Sequence, residues 1–248
     1  MKRIKLFFLF PVVAFLMASC AMSEKNDIGG DVSGKGGSLA RFTVSGEYLY
    51  TVDQSSLHTI SISDVEHPQK ANSKDLGIYT ETIYPYGNSL LLGTETGMFV
   101  FDLSNPSDPR QLTFFQHIRS CDPVVAQNGY AYITLNMANQ RCNNGANELQ
   151  IVDINNLSSP QLVKTLSLTT PLGLDINNDT LYVCDQGLRI INVANKLQPV
   201  EIGHIYDIQA QDVIYQQGRL IVIGTDGLHQ FELTENGYQK ISTISIQP

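Results

Sequence analysis

The sequence predicts an all-β fold: a β-propeller of five four-stranded blades, one repeat to each blade. Three spacings carry that expectation. Alternating apolar segments end at Tyr50, Leu91, Tyr132, Tyr182 and Ile221, which stand 41, 41, 50 and 39 residues apart. A further strand starts at Leu57, Met98, Leu149, Leu188 and Leu228, and five positions after each start comes an aliphatic residue: Ile62, Leu103, Ile154, Val193 and Leu233. Eleven positions after the same starts stand Pro68, Pro109, Pro160 and Pro199, with only the last repeat departing, at Gln239. Apolar alternation of period two marks a half-buried strand, and four short strands recurring at about 40 residues make a propeller blade.

In chain order, Met1 to Lys5 form a basic lead-in to the apolar run Leu6 to Met17, and Met17-Ala18-Ser19-Cys20 sets two small residues before a cysteine. That order reads as a cleavable secretion signal over residues 1–19. The run is shorter than the roughly 20 residues of a membrane-spanning helix. Its end resembles the lipobox of bacterial lipoproteins, which makes Cys20 the expected lipidated first residue of the mature protein, held to a membrane by its acyl chains. After Cys20 the chain is rich in glycine and serine and poor in large apolar residues as far as Ser38. It buries too little surface to offset its chain entropy, so residues 20–38 are expected to be a flexible tether.

Residues 39–248 then hold the five repeats. Each opens with a strand such as Phe42-Thr43-Val44 or Val124-Val125-Ala126, joined to the next by Ser45-Gly46, Gly87-Asn88, Asn128-Gly129, Asn178-Asp179 or Gln217-Gly218. Glycine and asparagine tolerate the positive φ that tight hairpins demand. A fourth strand follows the proline, as in Gln161 to Leu166. Each repeat supplies its own four strands, so closure is expected from the first blade packing on the fifth, with Lys240 to Ile246 at the outer edge. A six-bladed or strand-exchanged closure is the alternative.

The segment Leu149-Gln150-Ile151-Val152-Asp153-Ile154 resembles the signature of the LVIVD repeat family, and Met98-Phe99-Val100-Phe101-Asp102-Leu103 with Ser104 to Pro109 resembles its continuation. Repeats one, four and five depart from it, with Ser61, Asn192 and Glu232 in place of the aspartate. The resemblance covers residues 39 to 246. It implies a propeller in a secreted or envelope protein, mostly without assigned activity.

Composition narrows the partners. Three of the 16 basic residues and none of the 24 acidic ones fall in the signal, leaving the mature chain at −11. Such a charge repels a phosphate backbone, and nucleic acid is excluded as a partner. The expected localisation is the cell envelope, at the outer membrane, with an envelope protein or glycan as partner. No pattern calls for a cofactor.

In a propeller, the loops leading into the innermost strands and those between second and third strands share one face, the top. Only the third repeat extends the latter, through a polar insertion within Asn136 to Glu148 that includes Arg141. A long loop on a rigid scaffold is the sequence's best pointer to a functional surface. Cys142 lies in it and Cys121 just before the innermost strand of the same repeat. In an oxidising compartment a Cys121–Cys142 disulfide is the expected state, free thiols or a metal site being the alternatives. No second Cys or His stands in the grid to complete a zinc shell. Cys184 reads as a buried small apolar residue.

Nine and ten positions before each second-strand anchor, Arg41, Glu81, Asp122, Gln211 and Asp212 are expected at the mouth of the central channel. Three carboxylates there admit a carbohydrate-active hydrolase, which needs an acid and a base or nucleophile, or a cation site, or a solvated polar rim. The five histidines are scattered singly, and no serine elbow, phosphate loop or metalloprotease motif occurs. There is no Trp, and Tyr79, Tyr84 and Tyr86 are the single aromatic cluster, so no platform for sugar stacking is expected. The sequence therefore favours a binding module over an enzyme.

Overall fold

The computed structural model describes residues 36–118, 123–137, 146–235 and 237–246. Blade 1 is β1 (Phe42–Ser45), β2 (Tyr48–Asp53), β3 (Ser56–Ser61) and β4 (Gln69–Asp75). Blade 2 is β5 (Thr80–Tyr86), β6 (Ser89–Thr94), β7 (Gly97–Asp102) and β8 (Arg110–Gln116). Blade 3 is β9 (Val124–Gln127), β10 (Tyr130–Leu135), β11 (Glu148–Asp153) and β12 (Gln161–Ser167). Blade 4 is β13 (Leu174–Asn177), β14 (Thr180–Cys184), β15 (Leu188–Asn192) and β16 (Val200–Ile205). Blade 5 is β17 (Ala210–Gln216), β18 (Arg219–Gly224), β19 (Gly227–Thr234) and β20 (Gly237–Ser245). Each sheet runs in chain order, antiparallel throughout, and no strand is exchanged between blades among the described residues.

The register follows the sequence grid. The anchors Tyr50, Leu91, Tyr132, Tyr182 and Ile221 pair with Thr43, Tyr84, Val125, Asp175 and Ile214, seven residues earlier in every blade. Asn128, Asn178 and Gln217 take positive φ in the hairpins between first and second strands. Between third and fourth strands every blade has a bulge at the same place, at Thr59, Val100, Ile151, Ile190 and Gln230.

The aspartate of the repeat motif is a turn device. Asp102 Oδ1 accepts the Ser104 N–H at 3.0 Å, and Asp153 Oδ1 accepts that of Asn155 at 2.9 Å. Asn192, which departs from the motif, makes the same bond to Ala194 at 3.0 Å. A short side-chain oxygen taking the N–H two residues on stabilises a turn with either residue, which is why the substitution costs the fold nothing.

Four buried apolar clusters fill the seams between successive blades. Tyr50, Leu57, Leu90 and Phe101 lie between blades 1 and 2, and Leu91, Val100, Ala131 and Ile133 between 2 and 3. Tyr132, Ile151, Leu181 and Val183 lie between 3 and 4, and Tyr182, Leu188, Leu220 and Phe231 between 4 and 5. Among the described residues no such cluster joins blade 5 to blade 1. Blade 2 is buried on both faces along β6, whereas β2 and β18 alternate buried with half-buried or exposed residues. On the outer flanks, Phe42 is 63% exposed and Ile223 52%.

Closure by packing of the first blade on the fifth is therefore corrected. The ends meet instead through hydrogen bonds at Ser38, 2% exposed, whose hydroxyl donates to Asp212 of blade 5 at 3.0 Å and accepts the Leu174 N–H of blade 4 at 2.8 Å. The close approach explains the glycines beside it: a β-carbon on Gly37 or Gly173 would stand 2.1 or 2.2 Å from an Asp212 carboxylate oxygen. Lys240 to Ser245 does form the outer edge, as part of β20, and Ile246 follows it.

The innermost strands present N–H groups with no partner in their own sheet, and neighbouring side chains take them. The Tyr84 hydroxyl accepts from Ala126 N in the next blade. Asp175, buried at 2% exposure, accepts the N–H of Ile176 in its own strand at 2.8 Å and that of Tyr215 in blade 5 at 2.6 Å. Ala126 and Tyr215 are equivalent positions, and in blade 2 that position is Pro85, which has no N–H to satisfy.

Candidate functional site: a top-face pocket between blades 4 and 5

Three concave sites stand out among the described residues, and two of them compete. The larger, about 500 Å³, lies on the outer rim between β4 and the β7–β8 loop. Four of its five charges are paired, Lys74 with Asp108 and Arg110 with Asp102, and Asp75 accepts the Gly77 N–H, so it offers less to a ligand. The second, about 300 Å³, is lined by Thr170, Leu172, Gln186, Gly187, Ile208, Gln209, Ala210, Gln211 and Thr225. These belong to the loops leading into β13 and β17, to the first residues of β17 and to the turns β14–β15 and β18–β19, so the pocket opens on the top face.

Local sequence explains its walls. Gln209 Oε1 accepts from the Thr225 hydroxyl at 2.6 Å, which fixes the amide with its NH₂ turned away from Thr225. Gln186 sits at φ 51°, in the left-handed region, a conformation that costs a residue with a β-carbon about 1 kcal/mol or more. The His204 ring, 3.1 Å from the Gln186 carbonyl, holds the turn from outside. The acidic residues nearby point inward: Asp185 accepts from Thr169 N, Thr170 N and Arg189, and Asp226 from Gln209 N.

Of the sequence-predicted residues, Gln211 lines this pocket, as the bulged residue of β17. Asp212, next to it, is half-buried and engaged by backbone and side-chain donors. Its carboxylate accepts from Ser38 Oγ, from Leu39 N at 3.4 Å and from Val213 N at 3.0 Å. Glu81 is the bulged residue of β5 in blade 2. Arg41 donates to the Tyr79 hydroxyl at 3.1 Å and lies over its ring. Cys20, Cys121, Asp122, Arg141 and Cys142 lie outside the described residues. Cys184 is buried, with a free thiol, and burial pushes its pKa well up. No group of three or more metal-ligating side chains occurs among the described residues.

The stem of the third-blade insertion reaches the same corner. Asn136 Nδ2 donates to Pro171 O at 2.7 Å, Asn147 Nδ2 to Thr169 O at 2.6 Å, and Thr134 Oγ1 to Leu172 O at 2.6 Å. These described stem residues thus hold the segment that lines the pocket. The sequence reading missed Tyr206, which is 73% exposed in the loop between β16 and β17 and stacked on His204 with ring centroids 3.7 Å apart. Tyr206 is thus an exposed aromatic outside the Tyr79, Tyr84 and Tyr86 cluster.

Burial raises the Asp212 carboxyl above its ordinary value, with the charge of Asp175 adding to the rise, against lowering by the Ser38, Val213 and Leu39 hydrogen bonds. A folded-state pKa above the unfolded one means that the fold holds the proton longer, so this group's contribution to stability falls as pH rises above about 4 through the raised value. Asp212→Asn removes that dependence. Denaturant unfolding from pH 4 to 7 is expected to show the variant gaining on the wild type as pH rises, and parallel curves would refute it.

The LVIVD repeat family matches residues 36–74 and 119–167. No curated protein matches the chain in sequence. Among solved structures, a protein from Lactobacillus plantarum is similar with a TM-score of 0.68 at 8% identity, over 81% of this chain and 69% of that one. The periplasmic gluconolactonase PpgL of Pseudomonas aeruginosa is similar with a TM-score of 0.63 at 13% identity, over 81% and 67%. Apo AztD from Citrobacter koseri gives 0.60 at 14% identity, over 82% and 62%. At such identities the likeness speaks for the fold alone.

Proposed function

We propose, for a chain that carries LVIVD repeats on a five-bladed β-propeller, that it is a lipid-anchored binding module displaying its top face at the cell envelope. The observation behind this reading is the pocket between blades 4 and 5, whose walls are amides, hydroxyls and apolar groups without a titratable side chain. Such a surface can orient a ligand but has no acid or base to transform it. A hydrolase is the alternative, prompted by the channel-mouth carboxylates and the gluconolactonase neighbour. Against it, Asp212 is occupied by three donors.

Two measurements test the proposal. Cys20→Ala is expected to move the protein from the membrane to the soluble fraction and to block processing. A variant that still fractionates with membranes and is cut like the wild type would overturn the anchor. Envelope components held by the immobilised full chain are expected to be lost with the double variant Gln211→Ala, Thr225→Ala. Equal retention would move the binding surface elsewhere.

A further inference from the structure

We infer that the ligand of this pocket is an uncharged saccharide, its ring laid on Tyr206 and its hydroxyls bonded by Gln186, Gln209, Gln211 and the two threonines. The inference rests on the reading of the top face as a binding surface. Four observations carry it.

First, the walls hold three side-chain amides and two hydroxyls over an apolar floor of Leu172, Ile208 and Ala210. Amides and hydroxyls both donate and accept, which is the pattern a sugar hydroxyl needs. Second, the charge nearest the pocket is spent internally, since Asp185 and Asp226 are bonded to backbone N–H groups and to Arg189 or His229. The chain also carries a formal charge of −8, which disfavours acidic ligands.

Third, much of the backbone donor capacity lining the pocket is already used, with Gln209 N held by Asp226, which disfavours an extended peptide, recognised chiefly through main-chain bonds. Leu172 N donates to Cys184 O, Gly173 N to Gln211 O, Thr225 N to Gln209 O, and Thr170 N to Asp185.

Fourth, Tyr206 stands beside the pocket. A β-carbon on Gly187, a wall residue, would lie 3.1 Å from the Tyr206 Cα. His204 supports one face of the ring, with the planes 20° apart, and the same His204 touches Gln186. A large aromatic left exposed yet held rigid presents an apolar face at small entropic cost. The C–H face of a pyranose is the matching surface. A pocket of about 300 Å³ is at the small end of ligand sites, suited to a short stretch of glycan.

The test is an array of neutral hexose and N-acetylhexosamine oligosaccharides, printed beside sialylated and sulfated ones and probed with the purified full chain. Retention on a neutral class is expected. Tyr206→Ala should weaken it about tenfold, and Gln186→Gly, which relieves the left-handed backbone while deleting the amide, about fivefold. Tyr206→Phe should keep it. Both weakened variants should unfold no earlier than the wild type, since the deleted groups are exposed or strained. Absence of any neutral glycan binding, binding confined to acidic glycans, or neutral binding indifferent to Tyr206→Ala and Gln186→Gly overturns the inference. Envelope capture that needs the pocket but survives periodate oxidation of the extract overturns the saccharide and spares the binding module. Capture indifferent to the pocket variants overturns both.

Discussion

Tyr182→Ala is expected to destabilise the protein by about 3 to 5 kcal/mol, the cost of deleting a fully buried aromatic side chain. Tyr182 lies on β14 with its side chain in the seam between blades 4 and 5. Its ring stacks on Tyr215 with centroids 5.8 Å apart and meets Tyr238 edge-on at 5.9 Å. Its hydroxyl reaches the Tyr238 hydroxyl at 2.7 Å, so one side chain in the second strand of blade 4 holds both the innermost and the outermost strand of blade 5. In a chain of this size the loss corresponds to about 10 °C in melting temperature. Tyr182→Phe keeps the rings and loses the hydroxyl bond, and is expected to cost about 1 kcal/mol. Paired denaturant unfolding measurements check both. If Ala cost no more than Phe, the seam would not depend on the ring.

Asp175→Val is the second large effect. Blade 3 carries valine at the equivalent position, Val125, and repeat averaging would call the substitution harmless. The hydrogen bonds say otherwise, since Asp175 takes the N–H groups of both Ile176 and Tyr215. Valine would leave two buried donors unsatisfied, each costing about 1 to 3 kcal/mol. A destabilisation of about 3 kcal/mol is expected, with faster exchange of the Tyr215 amide by hydrogen–deuterium exchange. Unaltered exchange at Tyr215 would mean that another acceptor replaces the carboxylate.

That contrast marks where the sequence is legible. Strand alternation, hairpin residues and the five anchors depend on neighbours a few positions away, and the paired anchors fall where the grid puts them. The role of Asp175 depends on an N–H 40 residues further along the chain, and the grid sees there only a polar letter in an apolar ladder. Ser38 ends a glycine- and serine-rich stretch whose composition reads as tether, because its two partners, Asp212 and Leu174, are more than 130 residues away. Tyr206 sits in a loop, where no periodicity singles out an aromatic. Gln211, placed by its offset from the anchor, lines the pocket as the bulged residue of β17. Glu81 and Asp212 lie on innermost strands, but strand position does not disclose that Ser38 and Leu39 donate to Asp212.

Ser38 also determines how the molecule responds to a pull. A chain held at its N-terminal end transmits tension through Gly36 and Gly37 to the Ser38 hydroxyl before any blade is strained. From there the force passes to Asp212, whose backbone neighbour Gln211 forms part of the pocket wall, and to Leu174, two residues beyond Leu172 on the opposite wall. Under the proposed N-terminal anchor, the fastening of the ring and the mouth of the pocket would stand in mechanical series with it.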